Sequence, residues 1–566
     1  MPKPASPQFL ATLGRTIEEG VLLQRQGKLA EAERVYTRIL KTLPDQFETL
    51  QLLADLKMQR GKPGEAFRLV SAAVAARPRS AKAHLRLGHA LRAIKRDGDA
   101  LASYAKACAL DPQDVDALGY CVDLLFALRR DAEAREYAER IVAVRPRDAA
   151  SRAHRGVALA ALGRHAEALA EFNAALGAGP NPIVDYNRGL ALAELGREAE
   201  AIESFDRTLA AIPDHVAAAS SRGVSLHALH RHVEAIASFD RALARAPDFA
   251  GAHLNRSFAL LALGDYRRGL IEYEWRWKRA GTEQRLDFVQ PLWRGETSLH
   301  DKAILLHAEQ GFGDTIQFLR YLPQIAEALA NVVLEVQAEL KPLVSRIGGG
   351  AVVIARGETR PAFDVHCPFG SLPLAFGTEL ATIPAEVPYL FADPARIAHW
   401  RARLPAGNRP SIGIVWCGNP NFKGDRSRSM TFADFAPIVA DPELAFVTLN
   451  PGAPLTDVSA LSAHPNVIDL APEFRDFADT AAVIANLDVV VTTDTAVAHL
   501  AGALGRTVWL LLSFSPDWRW LLDREDCPWY PSARLFRQST LGDWQPVIAR
   551  VQRELANFVA GPKASG

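Results

Sequence analysis

Three stretches of the chain carry residues whose types and spacing could do chemistry. The first is "AILLHAEQGFGDTIQFLRYLP", residues 303–323, in which an apolar run enters a glycine-bracketed turn and an amphipathic segment leaves it. Asp314 sits at the hinge. A carboxylate there could remove a proton from an acceptor hydroxyl. Asp314 followed by Gln317 also fits a capping box with Asp as the cap, so local sequence leaves both roles open. Gly311, Gly313 and Gln317 go with Asp314 on a prospective acceptor side, as does His366 in "VHCPFGSLPLAFGT". His366 and Ser371 either line that side or pack in a core.

The second stretch is "TTDTAVAHLAGALG", residues 492–505. A strand ends at Thr492–Thr493, Asp494 and Thr495 form the turn, and a small-residue helix follows and stops at Gly505. Ala496, Ala498, Ala501 and Gly502 let the helix start approach a ligand. Its free N–H groups and positive end make a phosphate seat, and His499, one turn in, could donate to a phosphate oxygen. A capped helix with a structural histidine is the alternative. The third stretch, "VWCGNPNFKGDRSRSMTFADF", places Lys423, Arg426 and Arg428 in a Gly/Asn/Ser-rich loop after a strand. A departing phosphate needs neutralisation by a metal or by Lys and Arg. The sequence has no convincing metal-ligand cluster, so basic residues would have to supply it, unless the loop is simply a charged surface. Trp416, Gly418 and Asn419 of this stretch, with Asn450 of "AFVTLN", complete the prospective donor side.

The elements that must position these residues fall into two halves. Prolines 44, 78, 112, 146, 180, 213 and 247 are spaced by 34 residues five times and by 33 once. An alanine precedes each by twelve residues: Ala32, Ala66, Ala100, Ala134, Ala168, Ala201 and Ala235. An aromatic precedes most by eight: Tyr36, Tyr104, Phe172, Phe205 and Phe239, with Val70 and Ala138 as exceptions. Gly88, Gly156, Gly189 and Gly223 mark first helices. This period predicts a helix–turn–helix unit in which alanine permits close approach, the aromatic fills the space between units, and proline ends the second helix. Seven units and a partial eighth cover residues 8–280. Such an array presents a concave surface to a peptide or protein, with Asn187, Arg188, Asn255 and Arg256 as polar candidates. Residues 281–302 read as a linker.

Beyond it, β-rich runs ("AILLHA", "NVVLEV", "AVVIA", "FDVHC") alternate with helical stretches over 303–390, then a helix and linker cover 391–408. A second series over 409–560 contains "SIGIVWCG", "AFVTLN", "NVIDLA", "DVVVTTD" and "TVWLLLS". The alternation predicts two α/β lobes with parallel sheets, binding ligands at the carboxyl ends of their strands. Trp518, Trp520, Trp529 and Tyr530 either stack on a sugar or base or pack late helices against the linker.

Composition narrows the function classes. The chain of 566 residues has 65 Lys+Arg against 65 Asp+Glu, so no global field draws it to nucleic acid or an acidic membrane. Its N-terminus lacks the apolar core of a secretory signal, and no run approaches the ~20 apolar residues that span a bilayer. Five scattered cysteines without a C-x-x-C pair read as reduced thiols of a cytoplasmic protein.

The 34-residue array resembles the tetratricopeptide repeat. "GFGDTIQFLRYLP" and "DTAVAHLAGALG" resemble the signature segments of heptosyltransferase-type GT-B glycosyltransferases. Together with "DFVQPLWRGE", "DWRWLLDREDCPWYP" and "ARLFRQ", the chain resembles bacterial repeat-plus-glycosyltransferase proteins, flagellin glycosyltransferases among them. The resemblance implies a GT-B fold of two Rossmann-like lobes and a metal-independent inverting transfer, with the activated sugar held mainly by the C-terminal lobe. Asp314 matches the family's catalytic aspartate. Arg428 falls near a phosphate-stabilising lysine, where Arg keeps the charge and adds a bidentate fork. Asp494, Thr495 and His499 match the donor segment, and Ala496 replaces the usual glycine. The expected protein is a cytoplasmic O-glycosyltransferase. It takes a nucleotide-sugar donor, requires no cofactor, acts on Ser or Thr of a repeat-bound protein such as flagellin, and leaves room for a homo-oligomer. The rivals are transfer to a glycan or lipid-linked acceptor with the repeats used for assembly, and a non-catalytic scaffold whose lobes bind only a nucleotide.

Overall fold

The structure, a computed structural model, describes residues 7–144, 148–279, 288–328, 330–347, 350–405, 407, 409–419 and 425–560. Two compact units divide the chain, Met1–Pro213 and Asp214–Gly566. Among the described residues, no helix is long and apolar enough to cross a membrane.

The first unit holds twelve described helices, from Pro7–Arg25 to Glu198–Ala211, paired as the period predicts. First helices open on capping side chains: Ser80 accepts from the Ala83 N–H, and Asp114 from those of Asp116 and Ala117. Second helices open differently. Arg96, Arg130, Arg164 and Arg197 stand at the N-cap and bond an acid three residues on, which lies at the positive end of the helix. Pro44, Pro78, Pro112 and Pro213 follow the last helical residue by two, after C-cap residues held at extended ψ. The alanines of the period are wholly buried.

The aromatic has a different neighbour from the one its spacing suggests. A Cβ at Gly20, Gly88, Gly156 or Gly189 would come within 2.3–2.6 Å of the ring of Tyr36, Tyr104, Phe172 or Phe205, in the second helix of the same unit. The ring therefore locks the two helices of one unit. Tyr104 also reaches the next unit, stacking on Tyr120 with centroids 5.4 Å apart.

The second unit begins with four more repeat helices, Val216–Ala228, His232–Arg245, Ala250–Ala262 and Tyr266–Tyr273. Two parallel sheets follow. β1 (Ala303–His307), β2 (Asn331–Val336), β3 (Val352–Ala355) and β4 (Val365–Pro368) lie in the order β3-β2-β1-β4. β5 (Ser411–Val415), β6 (Ala445–Thr448), β7 (Val467–Ile468), β8 (Val489–Thr493), β9 (Val508–Leu512) and β10 (Ala533–Arg537) lie in the order β10-β9-β8-β5-β6-β7. β10 has no counterpart among the strands read from sequence. In each sheet the order reverses beside its first strand, between β1 and β4 and between β5 and β8, and ligands of open α/β sheets bind outside such switch points.

One apolar core joins these parts: Leu261, Tyr266 and Leu270 of the last repeat helices cluster with Ile316, Phe318, Leu390, Trp518 and Trp529. The last repeat pair is thus built into the core of the α/β region. The segment read as a linker is partly structural. Residues 281–287 lie outside the described residues, but Trp293 is buried, its N–H donates to the His366 carbonyl at 2.8 Å, and Leu292 bridges to His366. The second linker contains the helix Pro394–Arg401. Its Arg396 donates to Asp476 and Asp479, and its buried Trp400 donates its indole N–H to Asp479.

Candidate active site

Asp314 follows β1 on the helix Phe312–Phe318. It is the third helical residue and not the cap. Gly311 occupies the cap position, and Asp314 reaches back so that Oδ2 accepts from the Gly311 N–H at 3.0 Å. Gln317 is therefore no capping partner. It is wholly buried, and its Oε1 accepts from Arg519 Nε.

Arg519 is the residue that sequence reasoning missed. It lies on the short turn Trp518–Trp520 of the C-terminal lobe, yet its NH2 donates to Asp314 Oδ1 at 2.5 Å and its NH1 to Asp517 Oδ1 at 2.9 Å. Its guanidinium centre lies 4.6 Å from the Trp518 ring centroid. The candidate base of one lobe is thus held by a cation of the other. The W-x-W aromatics around Arg519 were a signal of burial, but its partner, 205 residues away, is invisible locally. Just after it, Leu521 adopts φ 55°, ψ −163°, a conformation that costs a non-glycine residue about 1–3 kcal/mol.

The electrostatics follow from this enclosure. Burial raises the Asp314 pKa; Arg519 opposes the rise and Asp517 adds to it. Its side chain remains 23% exposed, so the carboxylate is enclosed but reachable. Asp494, after β8, is pushed up to about 6 by burial and by Asp517, against the pull of Arg428. Arg519 thus bonds two carboxylates from two lobes and adds a weaker pull to that of Arg428 on Asp494.

The helix Ala496–Ala503 starts at Thr495, whose hydroxyl pairs with Thr492 at 3.2 Å and does not cap the helix. This start meets the Asp314 turn directly. A Cβ at Gly313 would stand 2.8 Å from His499 Cδ2 and 3.6 Å from Ala496 Cα. His499 is buried, stacks on Trp520, and shares a hydrogen bond of 3.0 Å between Nδ1 and the Tyr530 hydroxyl. Burial, then Arg519, Arg320 and Arg428, hold its pKa well below the ordinary range.

Arg428 ends the helix Asp425–Arg428 and donates to Asp425 at 3.1 Å. Asp425 also accepts from Ser429, which accepts from the Gly418 N–H at 2.8 Å. A Cβ at Gly418 would strike Asp425 and Arg428, so this glycine lets the basic turn lie against the end of β5. Asn450 clamps that end by accepting from the Trp416 N–H and donating to the Cys417 carbonyl. Asn419 is exposed. Trp416 has a packing position: it is wholly buried and spends its indole N–H on Asp457. Lys423 and the side chain of Arg426 lie outside the described residues.

Two acceptor-side expectations separate from this cluster. Val365 and Cys367 face the core shared with the Asp314 helix, so the alternation along β4 turns His366 to the other face of the sheet. There it meets His307 at 3.2 Å and Phe288. Ser371 is wholly buried, donating to Glu274 and accepting from Arg276, which also grips Glu309. The aromatics Trp518, Trp520, Trp529 and Tyr530 are all buried, and Trp529 donates to the Tyr266 hydroxyl at 3.2 Å; they pack.

Comparison with known proteins agrees with this layout. The Tetratricopeptide repeat model matches residues 52–115, 122–183 and 186–250, and the Glycosyltransferase family 9 (heptosyltransferase) model matches 448–520, which spans β8, Asp494, His499 and Arg519. The chain carries tetratricopeptide repeats and a family 9 glycosyltransferase domain. Protein FlbA of Caulobacter vibrioides is 30% identical over 325 residues, 53% of this chain and 54% of FlbA, so the match spans about half of each. Among solved structures, the APC/C hetero-tetramer Cut9-Hcn1 is 15% identical with TM-score 0.36, covering 44% of this chain and 49% of that one. A thermophilic TPR protein of Thermus thermophilus is 27% identical with TM-score 0.28, covering 32% and 100%. At these scores neither adds to the fold described above.

Proposed function

We propose that the protein is a glycosyltransferase that moves a sugar from a nucleotide-activated donor to a Ser or Thr hydroxyl of a protein held by the repeats, flagellin being one candidate. The observation that carries this reading is the meeting of the two motifs: Gly313 backs onto His499 and Ala496 while Asp314 is tied to Arg519. In this reading Asp314 takes the proton of the acceptor hydroxyl. The hydroxyl oxygen bonds to the anomeric carbon as the bond to phosphate breaks, with inversion. The nucleotide leaves with that electron pair, its charge met by Arg428 and the open start of the helix Ala496–Ala503. These side chains supply the required charges, so the reaction needs no cofactor or metal. Gly418 lets the basic turn lie close, and Asn450 clamps the strand end beside it. The reaction takes place in the cytoplasm, where nucleotide sugars are made.

The test is the intact mass of candidate acceptor proteins after incubation with nucleotide-sugars and either wild type or Asp314→Asn. A sugar-sized increment with wild type that is lost with the variant supports the reading, and equal increments refute it. The role of the repeats is tested by removing residues 1–213, because a longer deletion would strip Leu261, Tyr266 and Leu270 from the core of the lobes. Transfer that then survives with unchanged protein selectivity excludes the repeats of residues 1–213 as the acceptor-holding element.

A further inference from the structure

His499 is joined to a chain of hydroxyl groups that ends on a carbonyl. Its Nδ1 lies 3.0 Å from the Tyr530 hydroxyl, which lies 3.4 Å from the Tyr389 hydroxyl, which donates to the Ile316 carbonyl at 3.1 Å. The Tyr389 oxygen also accepts from Arg320 NH2 at 3.2 Å. A carbonyl only accepts and a guanidinium only donates, so both contacts at the Tyr389 end of the chain have a fixed sense. Each tyrosine owns one proton. The Tyr389 proton goes to Ile316, so the contact between the tyrosines can be filled only by the Tyr530 proton. The contact between Tyr530 and His499 is then left for a proton on Nδ1. The opposite sense would set two lone pairs against each other between half-buried Tyr389 and buried Tyr530, and an unmade hydrogen bond at a buried group costs about 1–3 kcal/mol.

We propose that this one-way wire, His499 to Tyr530 to Tyr389 to Ile316, holds His499 as the neutral Nδ1–H tautomer, so that Nε2 offers a lone pair beside Gly313 and Ala496 and accepts a hydrogen bond from a substrate hydroxyl. Burial and three nearby arginines disfavour the imidazolium, consistent with a neutral ring. Among the described residues Nε2 has no hydrogen-bond partner, and Gly313 leaves it room: a Cβ there would stand 3.4 Å from Nε2. This changes the ligand chemistry expected at His499. The oxygens of a nucleotide diphosphate carry no proton to give at neutral pH, so an accepting Nε2 disfavours phosphate and selects a group with an O–H, as a sugar ring has. Tyr530 and Tyr389 are positioning residues acting through His499. The sugar as source of that hydroxyl rests on the proposed function; the tautomer does not.

The test reads the tautomer without substrate, in the full chain with isotope-labelled histidine ring nitrogens at neutral pH. The His499 signals are assigned by their loss in His499→Gln. A protonated Nδ1 and an unprotonated Nε2 are expected, and in Tyr530→Phe, where the Nδ1 proton loses its acceptor, the Nδ1–H signature falls. A wild-type ring protonated at Nε2, or a Tyr530→Phe ring with unchanged nitrogens, overturns the proposal. If either variant fails to fold, neutron diffraction of the wild-type chain reads the same atom: deuterium on Nδ1 supports the wire and on Nε2 overturns it. Neither result depends on sugar transfer, so failure of the wire and failure of the proposed function remain distinguishable.

Discussion

Replacing Arg519 by methionine tests whether one lobe holds Asp314, the proposed base, of the other. Arg519 bonds Asp314, Asp517 and Gln317 and is itself buried. Removing one partner of a buried ion pair costs roughly 3–5 kcal/mol. The carboxylates here are 23% and 37% exposed at Asp314 and Asp517, so water takes over part of their solvation. Methionine also keeps apolar contact with Trp518 and Phe318. The expected loss is therefore about 2–3 kcal/mol, which in a unit the size of Asp214–Gly566 lowers the melting temperature by about 3–4 °C. Tryptophan fluorescence reports this unit alone, because all ten tryptophans lie beyond residue 213.

The rate has its own signature. Arg519 opposes the effect of burial on Asp314, so its removal raises the Asp314 pKa further. A base works ionised, and the acidic limb of the kcat/KM profile must then move to higher pH. Arg519→Lys keeps one point charge and falls between the two. An unchanged melting temperature with an unmoved acidic limb refutes the linkage, and a limb that moves to lower pH refutes its sign.

Gly313→Ala forces a methyl group to within 2.8 Å of His499 Cδ2. The ring is pinned by Tyr530 and Trp520, so the seam opens at a cost of about 1–3 kcal/mol and kcat/KM falls at least about tenfold; wild-type activity and melting temperature contradict this. For Asp494, a folded pKa of about 6 lies above the unfolded carboxylate range, so the native state binds the proton more tightly and gains stability as pH falls through 6. The stability advantage of Asp494→Asn over wild type therefore shrinks by about 1 kcal/mol between pH 7 and pH 5 in paired thermal melts, and an advantage that grows over this range refutes the assignment. Gly189→Ala drives a methyl group to within 2.5 Å of the Phe205 ring and costs about 1–3 kcal/mol. Circular dichroism melts should show Phe205→Leu recovering part of that loss in the double variant, and full additivity argues against the contact.

Much of this architecture is legible along the chain because it depends on near neighbours. The 34-residue period sets helix pairs since proline, alanine and the capping residues act within a turn or two. The strand of "DVVVTTD" and the helix of "TAVAHLAGALG" appear where local pattern puts them, as β8 and the helix Ala496–Ala503. The turn at Asp314 is legible too, though its cap is not: whether Gly311 or Asp314 holds the cap position depends on backbone angles that several residue types permit.

What the tertiary structure alone decided is which residues meet. A β-strand turns alternate side chains to opposite faces, so His366 is carried away from Asp314 by register with β1, which no local feature of "FDVHC" announces. Trp416 and Ser371 are polar-tipped residues just past β5 and β4, where sequence cannot separate a site wall from a core, and both are buried. Arg519 reached Asp314 across 205 residues because buried charges must be paired wherever the chain brings them. By itself the sequence determined the repeat units, the parallel lobes and the candidate base, all built from short-range periodicity and turn chemistry. The fold decided what holds that candidate base and which way His499 faces, because those depend on packing between segments from tens to about two hundred residues apart.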